Sequence, residues 1–377
     1  MRRGLILINS YARLDSLLHQ SYRMRDELEH LGVSMDIMPT SSYIATIQDS
    51  AINAVGGYDF VVYHDKDKYV GAMLEKAGLR LFNSSRAVEY CDDKMTTYIR
   101  LACAGVPIVD TMPGLLCFDR DEPIADATVD RIEREFGYPV IVKECYGSLG
   151  KGVHKCDSRA ELVSTMESVK CVPHLFQRYI ASSRGRDIRV IVVGDRCVTA
   201  MLRESSSDFR SNIELGGKGT PIDITPEIER IALGATRVLG LDYAGIDLLF
   251  GEIGLVVCEV NSNAFFGGIE AVTHVNVART YAEYIMAEVY NEDSERALRE
   301  SMNHISITNV GLDRCRAVLD TELNEGEILL FVKALIMNDD THISRHDNMY
   351  YVSNHGTRFT INADTMMIVD VSVNTPR

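Results

Sequence analysis

The chain has 377 residues, a formal net charge of −15, 46% hydrophobic residues and 25% charged residues. This length predicts two or three domains with sizeable cores, and the acidic balance argues against a nucleic-acid partner or an anionic-membrane surface. Nine cysteines lack any CxxC spacing, and the first apolar run, residues 5–8, is too short for a signal peptide. We therefore expect a cytoplasmic protein with free thiols and no membrane association.

The N-terminal region predicts alternating strands and helices, and we place a domain at residues 1–83. Apolar runs predict strands over 5–8, 34–38, 60–63 and 81–82, with helices over 14–31 and 69–77. This order indicates an α/β domain with a small parallel sheet covered by helices.

The middle of the chain predicts helices mixed with antiparallel strands, and we place a second domain at residues 84–292. Asp92 is a candidate N-cap for a helix over 93–104. Thr225 and Pro226 form an N-cap and N1 pair for a helix that ends at Gly240. Further predicted elements are a helix over 128–136, strands over 138–143, 153–155 and 175–180, hairpins over 187–204 and 247–261, and a closing helix over 275–290.

A polar segment, residues 291–295, separates a third region, 293–377, which predicts two helices followed by strands over 349–352, 358–362 and 366–372. This order indicates a small α+β domain. Three histidines in this region, His342, His346 and His355, favour a surface role over a metal site, because the spacing of the first two suits a helix and the segment reads as loop to strand.

The hairpin over 247–261 carries three oxygen-bearing side chains in apolar strands. Glu259 and Asn261 are two residues apart and share a face. Asp247 joins them if it pairs with Glu259, which makes 252–254 a three-residue loop with Gly254 at positive φ. The alternative register, a two-residue turn, suits the β-branched Ile253 poorly. This ligand set fits Mg²⁺ carrying phosphates, while polar residues on the wet face of a strand pair are the simpler explanation.

A glycine-rich loop lies between two predicted strands. Closely spaced Gly147, Gly150 and Gly152 let backbone N–H groups approach phosphate oxygens, although a plain hairpin turn has the same composition. The loop is not a Walker A motif, because Gly152 follows Lys151 where Ser or Thr is needed. Lys143, on the strand that enters the loop, is a candidate phosphate ligand.

Arginines crowd the predicted hairpin over 187–204. Pairing Val193 with Arg196 predicts Arg189 opposite Ala200. Guanidinium groups here could stabilise a transferring phosphoryl group, and a solvated face with ion pairs is the alternative. The residues of this cluster are Arg184, Arg186, Asp187, Arg189, Arg203 and Arg210.

Taken in order, these features resemble the ATP-grasp superfamily, and specifically the RimK-like carboxylate–amine ligases of the alpha-L-glutamate type. The resemblance covers about residues 82–290. The matching segments are Asp92-Asp93-Lys94-Met95, Pro139-Val140-Ile141-Val142-Lys143, the glycine loop through Val153, Phe176-Gln177-Arg178-Tyr179-Ile180, Arg186-Asp187-Ile188-Arg189, Asp208-Phe209-Arg210-Ser211-Asn212, Ala244-Gly245-Ile246-Asp247 and Cys258-Glu259-Val260-Asn261.

The resemblance implies an ATP site between two antiparallel sheets. Lys94 and Lys143 would contact phosphates, and Asp187 would lie near the ribose. Adenine would bind the backbone at Arg178 and Tyr179. The full implied nucleotide set is Lys94, Lys143, Gly147, Ser148, Gly150, Gly152, Gln177, Arg178, Tyr179, Asp187, Arg203, Arg210, Ser211 and Asn212. Two Mg²⁺ ions, with Mn²⁺ as an alternative, would bind Asp247, Glu259 and Asn261, with Glu259 bridging.

Two positions depart from the family pattern. Arg178 stands where Glu is common before Tyr, and we expect binding to survive because that contact uses backbone. The loop over 262–268 lacks the usual Pro-Gly, which leaves the substrate open. The region 293–377 lies outside the family core and is similar to a small uncharacterised bacterial domain with helices followed by a β-meander.

The implied activity is an ADP-forming ligase that activates a small-molecule or peptide carboxylate as an acyl phosphate and joins it to an amine, such as that of glutamate. Lys143, Arg189 and Arg210 would be its catalytic residues, and no residue stands out as a general base. Family members often form dimers or tetramers. Two alternatives are a nucleotide-sensing regulatory protein, and a ligase that modifies peptides or proteins with 293–377 as docking module.

Overall fold

The computed structural model describes residues 2–11, 13–42, 45–148, 150–206, 208–211 and 216–373. The chain divides into two compact units, Met1–Tyr284 and Ile285–Arg377. Within the described ranges, every helix is too short or too polar to cross a membrane.

The N-terminal part of the first unit is built on a four-stranded parallel sheet with the order β2-β1-β5-β6. The predicted parallel sheet is thereby confirmed. Leu5, Ile6 and Leu7 are completely buried in the central strand, as a sheet with both faces covered requires. The elements are β1 (Arg3–Ile8), α1 (Asp15–His30), β2 (Ser34–Pro39), the short pair β3 (Thr46–Gln48) and β4 (Ala51–Asn53), β5 (Phe60–His64), α2 (Lys68–Lys76) and β6 (Arg80–Phe82).

A second sheet is antiparallel with the order β7-β10-β8-β9. One face packs on two helices, where Ile132, Phe136 and Leu162 meet Val142 and Phe176 in a shared core. The other face is left to line a cavity. The elements are α3 (Ser85–Asp92), α4 (Lys94–Leu101), β7 (Thr111–Pro113), α5 (Asp126–Phe136), β8 (Val140–Glu144), β9 (Val153–Cys156), α6 (Arg159–Val169) and β10 (His174–Arg178).

The helix cap predicted at Asp92 is wrong. Asp93 is the N-cap of α4, and its carboxylate accepts hydrogen bonds from the backbone N–H groups of Met95 and Thr96 at 2.9 and 3.2 Å. Asp92 instead ends α3 and forms an ion pair with Lys66 at 2.9 Å. Asp92 and Asp93 are equally good N-cap residues by local sequence rules, and the ion pair of Asp92 with the distant Lys66 distinguishes them.

A third sheet is also antiparallel, with the order β13-β12-β11-β14-β15. Helix α7 covers one face, and its predicted boundaries are confirmed. Thr225 caps its N-terminus, Pro226 occupies the first turn, and Gly240 ends it with φ of 69°. The elements are β11 (Arg186–Val193), β12 (Arg196–Glu204), β13 (Lys218–Ile222), α7 (Pro226–Leu239), β14 (Tyr243–Gly251), β15 (Gly254–Asn261) and α8 (Gly267–Thr273).

The β14–β15 hairpin confirms the predicted pairing of Asp247 with Glu259 but not the predicted loop. Gly251 pairs with Gly254, so the turn consists of two residues, Glu252 and Ile253. The positive φ of 110° is that of Gly254, which follows the turn. A β-bulge then shifts the register by one between Asp247 and the next residue. Cys258 is the extra residue of the bulge. In a regular two-residue hairpin Asp247 would pair with Cys258, and the bulge makes it pair with Glu259 instead.

The β11–β12 hairpin contains a second bulge, which makes the predicted position of Arg189 wrong. Val193 pairs with Arg196 as expected, but the register shifts between Ile191 and Val192. Arg189 therefore lies opposite Met201 instead of Ala200. The same shift places Asp187 directly opposite Arg203.

Helix α9 (Val277–Ser301) continues beyond the helix predicted over 275–290, and the polar segment 291–295 lies within it. The C-terminal unit contains the predicted helices followed by strands. Its five-stranded sheet has the order β16-β20-β19-β18-β17, and buried Ile328, Val332 and Ile336 of α11 pack in the core with Val352 and Phe359. The elements are β16 (Ser306–Ile307), α10 (Asn309–Leu319), α11 (Glu325–Ile336), β17 (His342–His346), β18 (Met349–Asn354), β19 (Thr357–Asn362) and β20 (Met367–Val373).

Candidate active site

A cavity lies between the second and third sheets. Ile141 and Leu249 contribute apolar surface from opposite sheets, and Lys143 and Glu259 contribute opposite charges. A cavity with apolar walls and a few convergent charged groups suits a ligand that is partly flat and apolar and partly ionic. Its lining residues include Val109, Ile141, Lys143, Gly150, Gln177, Arg178, Tyr179, Asp187, Arg210, Ser211, Asp247, Leu249, Cys258 and Glu259.

Lys143 is a buried cation at the floor of this cavity. It lies on β8 with 8% of its surface exposed, and its Nζ is 3.6 Å from the Sγ of Cys258. Burial by itself lowers the pKa of the Lys143 ammonium, but neighbouring groups led by Cys258 raise it by more, so the net pKa is raised. Lys143 therefore carries a positive charge at neutral pH.

Lys94 and the glycine loop meet across the cavity. The Nζ of Lys94 donates a hydrogen bond to the carbonyl of Gly147 at 2.7 Å and lies 3.6 Å from a carboxylate oxygen of Glu259. Gly147, Gly150 and Gly152 all have positive φ, so a side chain at these positions would be strained.

Arg210 holds the other side of the same loop. Its guanidinium pairs with Asp208 at 2.8 Å and donates to the carbonyl of Gly150 at 2.8 Å. Ser211 is buried, with 3% of its surface exposed, and also lines the cavity. The predicted contact of Asn212 lies outside the described residues.

The strand that carries Gln177, Arg178 and Tyr179 borders the apolar end of the cavity. The amide of Gln177 donates to the hydroxyl of Thr111 at 2.8 Å and is fixed there. The Arg178 guanidinium forms an ion pair with Asp110 at 2.9 Å, and its side chain is 41% exposed. This partner holds the Arg178 side chain at the surface, and the backbone of Arg178 pairs with Val140 of the neighbouring strand.

Two arginines and two aspartates form a buried cluster on the third sheet. Arg203 makes a bidentate pair with Asp187, at 2.7 and 2.6 Å, and also contacts Asp247 at 3.0 Å. Arg189 makes a second bidentate pair with Asp247, one contact of which is 2.8 Å. Burial acts to raise the pKa of Asp247, but the two guanidinium groups outweigh it and the net pKa is lowered.

The three predicted metal ligands come together, as the hairpin register requires. Asp247 lies opposite Glu259, and Gly245 lies opposite Asn261. The Nδ2 of Asn261 is buried and has no hydrogen-bond partner among the described residues. Two carboxylates and the amide oxygen of Asn261 suit a divalent cation such as Mg²⁺, whereas the unpartnered Nδ2 is a donor and takes no part in metal binding. In the structure Asp247 is shared with two arginines.

A second cavity adjoins the first, and its residues from the N-terminal sheet domain were not predicted from the sequence. It is lined by Arg189, Arg203, Glu259 and Asn261 from the third sheet. On its other side lie Asn9, His64, Asp65, Lys66 and Ser148. The position of His64 and Asp65 after a buried parallel strand was the available signal, because ligands bind at the carboxyl ends of such strands.

Two family models match the chain. Residues 91–285 match the RimK-like ATP-grasp domain, and residues 300–372 match a protein family of unknown function, DUF3781. The first match covers more than half of the chain and contains every predicted site residue.

The chain is also similar to individual relatives. It is 35% identical over 236 residues to N-acetylaspartylglutamate synthase A of Homo sapiens, covering 62% of this chain and 59% of that protein. It is 35% identical to a probable alpha-L-glutamate ligase of Legionella pneumophila (strain Corby), covering 56% of this chain and 68% of the relative. The chain thus spans less than two thirds of the length of the human relative.

Among solved structures, the ATP-grasp ligase PsnB complexed with a minimal precursor, Mg and ADP is similar in fold. Its TM-score is 0.55 at 18% identity, covering 76% of this chain and 98% of PsnB. At this identity the likeness shows the fold alone, and it confirms the predicted architecture of a parallel N-terminal sheet followed by two antiparallel sheets.

Proposed function

The chain belongs to the RimK-like ATP-grasp family, and from this membership we propose that it is an ADP-forming ligase that joins a carboxylate to an amine. The relatives that are named as glutamate ligases or synthases support glutamate as one of the two substrates. The observation that carries the proposal is the cavity between the two antiparallel sheets, with Lys143 on one wall and Asp247 and Glu259 on the other.

In this proposal ATP lies in the first cavity. Its adenine packs between Ile141 and Leu249 and meets the backbone at Arg178 and Tyr179. The triphosphate extends towards Lys143, which offers a buried cation 3.6 Å from the Sγ of Cys258. Preorganised charge in a low-dielectric site stabilises a phosphoryl group more than the same charge in water.

The glycine loop would close over the phosphates. Lys94 donates to the carbonyl of Gly147 and Arg210 donates to the carbonyl of Gly150, so a cation holds each end of the loop. We expect phosphate oxygens to compete for these donors when ATP binds. Asp247, Glu259 and Asn261 would hold Mg²⁺, which supplies charge neutralisation to the phosphates.

The chemistry then needs positioning more than acid–base groups. A substrate carboxylate attacks the γ-phosphate in line, ADP leaves, and the amine displaces phosphate from the acyl phosphate. Arg189 and Arg210 would stabilise negative charge on the acyl phosphate and on the tetrahedral intermediate. Free thiols throughout support a cytoplasmic setting for this reaction.

The test is Mg²⁺-dependent ADP release with each common amino acid as amine and a cell extract as source of carboxylate. We expect release that depends on a particular amino acid, and we expect Lys143→Met to reduce it at least 100-fold. Lys68→Met is the matched control, because Lys68 is an exposed lysine of the same unit that pairs with Glu89 at the surface.

ATP binding without ADP release under every amine would contradict the ligase and favour the nucleotide sensor. Equal loss of activity in the Lys68→Met control would also contradict the assignment of Lys143, because it would show that any lysine of the unit has the same effect.

A further inference from the structure

The second cavity contains two buried hydrogen-bond acceptors that the proposed ligase mechanism does not use. His64 ends β5, Asp65 follows it, and their exposed fractions are 4% and 5%. Within the described part of the chain, the Nε2 of His64 and the Oδ2 of Asp65 have no hydrogen-bond partner. Buried polar atoms without partners are costly, so each calls for a ligand group.

The protonation of His64 follows from its neighbours. Ser21 donates its hydroxyl hydrogen to the carbonyl of Leu17 at 2.9 Å, and its oxygen is 2.9 Å from the Nδ1 of His64. Because that hydrogen is used, Nδ1 must be the donor of the second bond. Burial lowers the pKa of His64 to about 4. The ring is therefore neutral at pH 7, and Nε2 presents a lone pair.

Asp65 presents the second acceptor. Its Oδ1 accepts from the amide of Asn9 at 2.9 Å and from the backbone N–H of Lys66 at 2.7 Å. These two bonds fix the carboxylate, and its Oδ2 is left without a partner among the described residues. A neutral acceptor and an anionic acceptor on residues that line one cavity are complementary to a group that is positively charged and rich in N–H donors.

A metal ion fits this place less well than an ammonium group. Over the described ranges, no cluster of three or more His, Cys, Asp or Glu residues is arranged to hold an ion, here or elsewhere. An ammonium group has three donors and satisfies both acceptors without further protein ligands.

The opposite wall of the cavity is cationic. Arg189 and Arg203 line this wall. Lys66 lies on the other wall, next to Asp65, and forms an ion pair with Asp92 at 2.9 Å. The Nε and Nη2 of Arg189 donate to Asp247, and its Nη1 carries two further N–H donors. A cavity with acceptors on one wall and guanidinium groups on the other is complementary to a zwitterion.

We propose that His64 and Asp65 bind the ammonium group of a free α-amino acid, which is the amine substrate. The proposal rests on the ligase function proposed above. The same cavity is lined by Glu259 and Asn261, so the amine would wait beside the site of phosphoryl transfer. His64 and Asp65 thereby position the ammonium group, which becomes the nucleophile when it loses a proton to the phosphate group of the acyl phosphate.

The first measurement is calorimetric titration of the full chain, loaded with Mg²⁺ and a non-hydrolysable ATP analogue, with each of the twenty amino acids. We expect at least one to bind, and we expect its N-acetyl derivative, which lacks the ammonium charge, to bind at least tenfold more weakly. If no free amino acid binds, or if the N-acetyl form binds equally well, the proposal is overturned.

The second measurement compares Asp65→Asn with the unaltered protein. Asparagine keeps an oxygen for Asn9 and Lys66 and replaces the charged Oδ2 acceptor with an uncharged N–H2 donor. We therefore expect about 10- to 100-fold weaker amino-acid binding with unchanged affinity for the ATP analogue. Asp36→Asn is the matched control, because Asp36 is a half-exposed carboxylate of the same sheet that pairs with Arg3. Equal amino-acid affinity in Asp65→Asn and the unaltered protein would overturn the assignment.

ADP release is recorded separately. Amino-acid binding that depends on Asp65 without any ADP release would overturn the proposed ligase and leave the ammonium site standing. ADP release with an amine whose KM is the same in Asp65→Asn and the unaltered protein would do the reverse.

Discussion

Asp247 and Glu259 are both proposed metal ligands, yet the structure predicts that removing them has different effects on stability. Asp247 is 4% exposed and accepts hydrogen bonds from Arg189 and Arg203. Its replacement by alanine leaves two guanidinium groups facing each other without their shared anion. The Glu259 side chain is 30% exposed and lies 3.6 Å from the buried Lys94. Lys94 keeps its hydrogen bond to the carbonyl of Gly147 when Glu259 is removed, so the loss of Glu259 costs less than the loss of Asp247.

The magnitude follows from burial. Removing one partner of a buried ion pair costs about 3–5 kcal/mol, because the remaining charge stays desolvated. In a unit of this size, 1 kcal/mol corresponds to about 2 °C in Tm, so Asp247→Ala should unfold about 6–10 °C below the unaltered protein. A partly exposed pair contributes about 1 kcal/mol or less, so Glu259→Ala should stay within about 2 °C.

The assay combines calorimetric unfolding with Mg²⁺-dependent ADP release. Both alanine variants should lose ADP release, while only Asp247→Ala should lose substantial stability. Asp247→Asn, which keeps an acceptor for one guanidinium, should fall between them in Tm. Equal Tm values for Asp247→Ala and Glu259→Ala would refute the role of Asp247 as the shared anion, and full ADP release in either would refute the metal assignment.

Three further outcomes follow from single contacts. Tyr98 is buried and its hydroxyl donates to the carbonyl of Cys258 at 2.7 Å; Tyr98→Phe should cost about 1–3 kcal/mol in chemical denaturation, whereas Tyr69→Phe, at an exposed tyrosine, should cost nothing measurable. Gly152 has a φ of 70°, and an added Cβ would lie 3.0 Å from the carboxyl carbon of Glu144. Gly152→Ala should therefore raise the KM for ATP. Gly78 also has a positive φ but lies in open surroundings, so Gly78→Ala should leave the KM for ATP unchanged. Burial lowers the pKa of His64 from 6.5 to about 4. Between these pH values the unfolded chain takes up a proton and the folded chain does not. The free energy of unfolding therefore falls as pH falls through this range, by about 3 kcal/mol at about 1.4 kcal/mol per pH unit. In denaturation at pH 7 and pH 4, His64→Gln should lose correspondingly less stability than the unaltered protein, and an identical pH dependence would contradict this explanation.

Local sequence rules determined the order and type of most elements. Thr225, Pro226 and Gly240 fix the ends of α7, since caps and left-handed C-terminal glycines act over only a few residues. Apolar runs predicted the strands of the N-terminal sheet, because a strand buried on both faces needs continuous apolar residues. The pairing of Asp247 with Glu259 was predicted from a three-residue loop, whereas the structure reaches the same pairing through a two-residue turn and a bulge.

The tertiary structure decided the features that depend on distant atoms. Distant residues contact the bulge at Cys258: the N–H of Val257 donates to the carbonyl of Pro107 at 2.8 Å, and Tyr98 donates to the carbonyl of Cys258. These partners lie about 150 residues away in sequence, and no turn rule includes them. The bulge in the neighbouring hairpin likewise decided that Arg203 faces Asp187.

The acceptor pair at His64 and Asp65 shows the same division. The sequence placed both residues after a buried strand, where ligand-binding groups of parallel sheets occur. Only the packing of helix α1, which brings Ser21 to the ring of His64, decided which nitrogen carries the hydrogen and which faces the cavity. Sequence determines the residues available at such a site, whereas the long-range contacts determine their charge, tautomer and direction, because desolvation and hydrogen bonding depend on the surroundings in space.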